Sequence, residues 1–316
     1  MYIDIFNGDA DGICALHQLR LETPVDSLLV TGIKRDISLL SKVSAGDGDI
    51  LTVLDISLDK NREALISLLE LGAEITYYDH HFAGEIPEHA RLNAVIDTKP
   101  STCTSLLVNQ ALNGKYSDWA VTAAFGDNLC EIANTHAKSL GYSEKHRDQI
   151  KNLGICINYN GYGMTLDDLY FHPEDLYNKI KPFQDPLDFI ENTEAFALLS
   201  AGYKDDMAKA ESTKPIHINQ KGAVFILPNE KWSRRVSGVY SNNLANINPK
   251  IAHAVLTTIG DGLYQVSVRA PLETKKGAEL LCRQFETGGG REAAAGINQL
   301  PTHDLDRFIE IFSSHF

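Results

Sequence analysis

The sequence predicts an α/β protein of two domains: an amino-terminal domain built on a parallel sheet with a helical extension, and a smaller carboxyl-terminal α/β domain. Three observations predict it. Short apolar runs alternate with amphipathic runs through the first hundred residues, the pattern of βαβ units. From 101 to about 203 the pattern is mainly helical, and strand-like runs return after 216. The 316 residues also match the length of two average domains.

The first domain is expected to contain five strands. Strand-like runs occupy 2–6, 27–31, 50–54, 74–78 and 94–96. Runs with helical spacing occupy 13–21 and 62–71, between the strands that they would connect. Right-handed crossovers place the carboxyl ends of such parallel strands along one edge of the sheet. Whatever follows each strand is therefore expected to meet at that edge.

The second domain is expected to be a smaller mixed unit. Strand-like runs occupy 222–227, 251–256 and 263–269, and the pair Asp261-Gly262 between the last two indicates a hairpin turn. Helical runs follow at about 276–285 and from about Leu305. We therefore predict a first domain at 1–190, a linker at 191–215 and a second domain at 216–316.

Composition narrows the class of partner. The chain has 29 basic and 42 acidic residues, a formal charge of −13, and no Lys/Arg run. Proteins that grip long nucleic acids usually present a basic surface. The expected partner is therefore a small anion, or one neutralised by metal ions. The five cysteines form no C-x-x-C motif, which argues against a disulfide framework or a structural zinc site. Without a long apolar stretch or a basic leader, we expect a cytoplasmic protein without membrane contact, and a homodimer is a reasonable guess.

Acids and histidines follow three of the predicted strands. The first strand runs into Asn7-Gly8-Asp9-Ala10-Asp11-Gly12, the third into Asp55, and the fourth into Asp79-His80-His81. Each motif alone would most simply be a helix cap or a turn. Together they would place several carboxylates at one edge, where they repel each other unless a cation lies between them. Carboxylates with imidazoles suit Mn²⁺ or Mg²⁺. The pattern indicates a two-metal hydrolase site that activates water.

These motifs resemble those of a known family. Asp9-Ala10-Asp11-Gly12, Asp55, Asp79-His80-His81 and Asp127 are similar, in order and spacing, to the four motifs of the DHH phosphoesterase superfamily. The segment 287–296, TGGGREAAAG, is similar to the GGGHxxAAG motif of the DHHA1 substrate domain. The resemblance covers nearly the whole chain. It implies a DHH domain followed by a DHHA1-like domain, and two metal ions, preferably Mn²⁺, with Mg²⁺ as the alternative.

The resemblance also implies a role for each matching residue. Asp9 would bind one metal ion, Asp11, His80 and Asp127 would bind the other, and Asp55 would bridge both. His81 would face the scissile phosphate, and Asp79 would orient a neighbouring imidazole. In the second domain, Gly288, Gly289 and Gly290 would present backbone N–H groups to an anion. Arg269 would either reach the substrate or be an ordinary arginine at a strand edge.

Two residues depart from the family pattern. Asn7 stands where many relatives have histidine, and an amide oxygen is a weaker ligand than an imidazole, which puts the first metal ion in question. Arg291 stands where the glycine motif usually has histidine. A guanidinium can hold a phosphate through two hydrogen bonds, which suggests an altered substrate preference.

The leading functional prediction is a metal-dependent phosphodiesterase of short oligonucleotides. Within that class we expect 5′-phosphorylated diribonucleotides, with pGpG as one candidate. A phosphatase of 3′-phosphoadenosine 5′-phosphate, or a pyrophosphatase or polyphosphatase, is the alternative. A second alternative is a nucleotide sensor without catalysis, which Asn7 and Arg291 would permit but the retained acids disfavour. An exonuclease of long single strands is disfavoured because no basic track is present.

Overall fold

The computed structural model describes residues 1–316, which divide into two compact units, Met1–Ala201 and Gly202–Phe316. The strands of the first unit are β1 Tyr2–Phe6, β2 Leu28–Val30, β3 Ile50–Leu54, β4 Glu74–Asp79 and β5 Leu92–Ile96. Its helices are α1 Ala10–Glu22, α2 Leu58–Glu70, α3 Thr104–Ala111, α4 Ser117–Gly126, α5 Cys130–Ser139, α6 Glu144–Gly161, α7 Pro173–Ile180 and α8 Pro186–Asn192. Helix α9, Glu194–Glu211, contains the boundary between the units.

The first unit is built on a five-stranded sheet in the order β2-β1-β3-β4-β5, and every neighbouring pair is parallel. This confirms the predicted parallel sheet. The strands are nearly continuous apolar runs because both faces are covered, as parallel sheets require. Leu65 and Leu69 of α2 pack on one face in a core that includes Ile5 and Val53.

Helix α1 lies between the sheet and the helical extension. It packs against α3, α4 and α6 as well as β1, and its residues from Ala10 to Gln18 are all buried. This double cover explains why α1 lacks the one-sided apolar stripe of a surface helix. The extension from α3 to α8 corresponds to the helical region that the sequence predicts.

The second unit contains a mixed six-stranded sheet. Its elements are β6 His217–Ile218, β7 Gly222–Leu227, α10 Lys231–Ile247, β8 Ala252–Thr258, β9 Leu263–Arg269, α11 Ala278–Cys282, β10 Gly288–Gly290, β11 Ala294–Pro301 and α12 Leu305–His315. The strand order is β10-β11-β9-β8-β7-β6, with β7 and β8 parallel and the other pairs antiparallel. Asp261 and Gly262 have φ of 50° and 68°, so the predicted hairpin turn is present.

Three segments differ from their simplest sequence interpretation. Most of the stretch 191–215, interpreted as a linker, is helix α9. The helix expected at 276–285 is only the short α11. The alanines after the glycine triplet begin β11, which pairs with both β10 and β9. Alanine and glycine have low strand propensity, so tertiary pairing sets the conformation here.

Two observations concern the whole chain. No helix combines the length and the apolar character that a membrane crossing needs. All five cysteines are free thiols, and four of them are buried.

Candidate metal centre

The site is built where the chain order of the parallel sheet reverses. β1 lies between β2 and β3, and the register pairs Phe6 with Leu54 and Leu54 with Tyr78. The carboxyl ends of these three strands therefore lie side by side. Ligands of open α/β sheets bind outside the carboxyl ends of the strands at such a reversal. The motifs after β1, β3 and β4 all project from this edge.

Asp55 directly follows β3 in an unfavourable backbone conformation. Its φ is 60°, in the left-handed region, which costs a residue other than glycine about 1–3 kcal/mol. Its N–H donates to the Tyr78 carbonyl at 3.1 Å, and its Oδ1 accepts from Thr104 Oγ1 at 3.1 Å. Burial, together with the charges of Asp11 and Asp9, raises the pKa of Asp55 well above its ordinary value. A cation at this carboxylate would relieve both the burial and the repulsion.

His80 and His81 follow β4 and face Asp55. His80 Nε2 lies 3.4 Å from Asp55 Oδ1 and 3.9 Å from Asp11 Oδ2. Burial lowers the pKa of His80, but the Asp55 carboxylate, then the charges of Asp11 and Asp127, raise it to about 10. His81 Nδ1 lies 2.6 Å from Asp79 Oδ1, so the buried Asp79 holds the more exposed imidazole. The donor atoms of Asp55, His80 and His81 all lie within 4.8 Å of one another. This group has the oxygen and nitrogen donors that suit Mn²⁺ or Mg²⁺.

Asp11 reaches the same site but also caps helix α3. Its Oδ2 accepts from Thr104 N and its Oδ1 from Ser105 N, each at 2.7 Å. Ser105 Oγ donates to the Asp11 carbonyl at 2.8 Å. A carboxylate at a helix N-terminus satisfies free N–H groups and matches the helix dipole. Each oxygen keeps one lone pair beyond its hydrogen bond. Asp11 therefore joins the loop after β1 to α3 and can still contribute to a cation site.

Asp9 and Asp127 lie around a lysine that sequence reasoning missed. Asp9 caps α1 by accepting from Asp11 N at 2.9 Å and Gly12 N at 3.1 Å. Its Oδ2 lies 2.5 Å from Lys34 Nζ, which also lies 3.6 Å from Asp127 Oδ1. Burial raises the pKa of Asp9, but the Lys34 charge and the hydrogen bonds from Lys34 and Gly12 together outweigh this effect, so the pKa of Asp9 is lowered. Burial raises the pKa of Asp127, and the Lys34 charge opposes the rise.

Both polar atoms of the Asn7 side chain form hydrogen bonds within the protein. Its Nδ2 donates to the Lys34 carbonyl at 3.2 Å, and its Oδ1 accepts from Asp9 N at 3.2 Å. Asn158 of α6 is a second missed residue, because its Oδ1 accepts from Lys34 Nζ at 3.1 Å. A signal for Lys34 was available: β2 ends at the same edge as the other strands, and Lys34 lies in the loop that follows it.

The predicted substrate residues lie in the second unit. Arg269 Nε donates to Asn242 Oδ1 at 2.6 Å, and its NH1 donates to Ser267 Oγ at 3.0 Å. Arg291 is exposed at the turn between β10 and β11. Arg235 of α10 is buried and paired with Asp206 at 2.8 Å. Of these arginines, Arg291 is the most accessible to an anion.

The three glycines have different reasons to be glycine. A Cβ on Gly288 would lie 1.7 Å from the Cys282 carbonyl oxygen, so close packing excludes a side chain. Gly290 has a φ of 143°, which side chains rarely adopt. A Cβ on Gly289 would contact nothing within 4 Å. The fold therefore requires glycine at positions 288 and 290. At position 289 the fold does not require glycine, so a close approach of a ligand is the remaining reason for it.

Comparison with known proteins places the fold. No protein-family model and no curated protein sequence matches the chain. Among solved structures, exonuclease RecJ bound to manganese matches with a TM-score of 0.63 and 16% identity, over 99% of this chain and 90% of that one. RecJ from Thermus thermophilus with Mn²⁺ matches with 0.62 and 16%, over 99% of this chain and 51% of that one, so this chain spans about half of its length. The pGpG-specific phosphodiesterase PggH from Vibrio cholerae matches with 0.57 and 14%, over 100% of both chains.

These likenesses confirm, for the fold, the resemblance that the motifs indicate. The chain shares the fold of RecJ and PggH along essentially its whole length. The sequence motifs and the structural comparison therefore indicate the same fold.

Proposed function

We propose that this protein is a divalent-metal-dependent phosphodiesterase that hydrolyses short oligonucleotides, in particular 5′-phosphorylated diribonucleotides such as pGpG. The observation that carries the proposal is the convergence of Asp55, His80 and His81 within 4.8 Å, at the edge where sheets of this kind bind ligands. Asp9, Asp11 and Asp55 are all buried, and a bound cation would relieve the repulsion between their carboxylates.

A likeness and the charge of the chain support a short substrate. PggH, named as pGpG-specific, matches this chain over the full length of both proteins. The formal charge of −13 also leaves no basic track for a long strand. Arg291 offers one exposed guanidinium for a phosphate of the substrate.

Some residues of the site would bind the cation, and others would contact the substrate. Asp55 and His80 would hold the ion, and Asp11 would contribute its free lone pairs. A bound divalent ion supplies Lewis acidity and lowers the pKa of water at the site. Asp79 holds Nδ1 of His81, which orients the imidazole and leaves Nε2 to meet a phosphate oxygen or exchange a proton with the leaving group.

The test is a matched substrate panel with Mn²⁺: pGpG, pApA, a five-nucleotide RNA, 3′-phosphoadenosine 5′-phosphate and pyrophosphate. We expect release of mononucleotides from the dinucleotides and none in the Asp55→Asn variant. Asparagine tolerates a left-handed φ, so this change removes the charge and keeps the backbone. The matched control is Asp59→Asn, a half-buried acid in the first turn of α2 that lies outside the site.

Other outcomes would change the proposal. Turnover of the last two substrates alone would make the protein a phosphatase. Tight binding of nucleotides without turnover of any of them would make it a sensor. Equal activity of Asp55→Asn and the wild type would remove the metal centre from the mechanism.

A further inference from the structure

The cation site of this chain contains a built-in positive charge. Lys34 Nζ lies 2.5 Å from Asp9 Oδ2, 3.1 Å from Asn158 Oδ1 and 3.6 Å from Asp127 Oδ1. We propose that the Lys34 ammonium takes the place of the first of the two divalent cations that the motif resemblance implies, so that the chain binds a single Mn²⁺, held by Asp55 and His80 with Asp11. This inference rests on the metal centre of the proposed function but not on its substrate.

The contacts of Lys34 come from three separate parts of the first unit. Asp9 follows β1, Asp127 ends α4, and Asn158 belongs to α6. The ammonium also lies 5.5 Å from the centre of the Tyr162 ring, where the face of the ring attracts a cation. An ammonium has three N–H groups and no vacant coordination position. Lys34 thus satisfies the acids that would otherwise need a metal ion.

The backbone of Lys34 is held on both sides. Its N–H donates to the Gly161 carbonyl at 2.8 Å, and its carbonyl accepts from Asn7 Nδ2 at 3.2 Å. The loop also approaches the chain closely before it reaches Lys34, because a Cβ on Gly8 would lie 2.0 Å from the Gly32 carbonyl oxygen. These hydrogen bonds therefore hold the backbone of Lys34 at the position from which its side chain reaches Asp9.

Asn7 and Lys34 act together. Where the motif resemblance implies an imidazole ligand, Asn7 has an amide. Its nitrogen donates to the Lys34 carbonyl and its oxygen accepts from the N–H of Asp9. Asp9, the second ligand expected for that ion, is paired with the ammonium. A divalent ion at this position would have to displace Lys34 from Asp9 and then lie beside a like charge. Asn7 therefore removes a ligand of the first metal ion, and the Lys34 ammonium occupies the position of that ion.

The experiment counts metal ions. Protein equilibrated with Mn²⁺ and freed of excess ion is assayed by mass spectrometry of the metal and by electron paramagnetic resonance. We expect one Mn²⁺ per wild-type chain, with the six-line spectrum of an isolated ion. The double variant Asn7→His/Lys34→Ala restores the missing ligand, and we expect it to bind two ions with an exchange-coupled spectrum. Lys42→Ala, at an exposed lysine beyond the site, is the control and should bind one.

The wild-type count alone can overturn the inference. Two ions per wild-type chain, a coupled spectrum, or no bound ion would each refute it. A folded double variant that still binds one ion would show that Lys34 is not what excludes the second. Failure of the proposed function looks different: one bound Mn²⁺ without turnover of any dinucleotide would remove the substrate proposal and leave the single-ion centre standing.

Discussion

Replacing Lys34 with methionine should destabilise the metal-free protein strongly. Methionine keeps most of the length of the side chain and removes only the ammonium. Asp9, whose side chain is 3% exposed, would keep the N–H groups of Asp11 and Gly12 but lose its 2.5 Å partner. Removing one member of a buried ion pair costs about 3–5 kcal/mol, because the remaining charge stays buried. Since Lys34 itself is 24% exposed and water can enter, we expect the lower end, about 3 kcal/mol.

The assay follows thermal unfolding in the presence of a chelator. The chain has two tryptophans, Trp119 in the first unit and Trp232 in the second. In a Trp232→Phe background, the fluorescence of the fully buried Trp119 therefore reports the unit that contains Lys34. For a unit of this size, a loss of about 3 kcal/mol lowers the unfolding temperature by about 6–12 °C.

The matched control is Lys42→Met. Lys42 is 53% exposed and lies 3.6 Å from Asp36, and exposed pairs of this kind contribute about 0–1 kcal/mol. If the two variants unfold within about 2 °C of each other, Lys34 is not the counter-charge of Asp9. As a second check, Asp9→Asn/Lys34→Met should recover part of the loss, because no buried charge is left without a partner.

Three further predictions concern the cation, the pH dependence and the substrate. Mn²⁺ should raise the unfolding temperature of the wild type and of Asp59→Asn but not of Asp55→Asn, and equal shifts in all three would contradict the assignment of Asp55. Burial lowers the pKa of His17 and of His253 from 6.5 to about 4. Between these values the unfolded chain binds more protons at these two positions, so their contribution to the free energy of unfolding should fall as pH drops from 6.5 to 4, by about 3 kcal/mol per histidine. The raised pKa of Asp55 acts in the opposite direction, so the test compares variants. In urea unfolding, His253→Leu should lose less stability than the wild type across this range, and equal slopes would contradict the prediction. Arg291→Ala should raise KM for the dinucleotide with kcat and unfolding temperature unchanged, because the side chain is exposed; an unchanged KM would remove Arg291 from the substrate site.

The parts of the fold that the sequence predicts are those with local signals. The parallel sheet follows from alternating runs, and the meeting of Asp9, Asp55 and His80 at one edge follows from the handedness of crossovers. Asp9 and Asp55 could be singled out because each closely follows an apolar run.

The missed parts depend on contacts between distant positions. Lys34 meets Asp9 across 25 positions, and Asn158 meets Lys34 across 124 positions of the chain. No periodicity carries such a pairing. The sequence predicts Asn7 as a weak ligand, but only the structure shows its hydrogen bond to the Lys34 carbonyl. Likewise, the pairing of β11 overrides the low strand propensity of its alanines and glycine.

Because Asp11 both faces the cation site and accepts hydrogen bonds from α3, the backbone amides of Thr104 and Ser105 should report cation binding. Thr104 and Ser105 donate their N–H groups to the same carboxylate that faces His80. Any ion that draws charge from this carboxylate weakens both hydrogen bonds and changes the amide chemical shifts and the rates of hydrogen–deuterium exchange. Titration of the site is therefore readable at the start of α3, without a substrate and with a diamagnetic ion such as Mg²⁺. The first residues of α3 thus serve as a spectroscopic probe of cation binding.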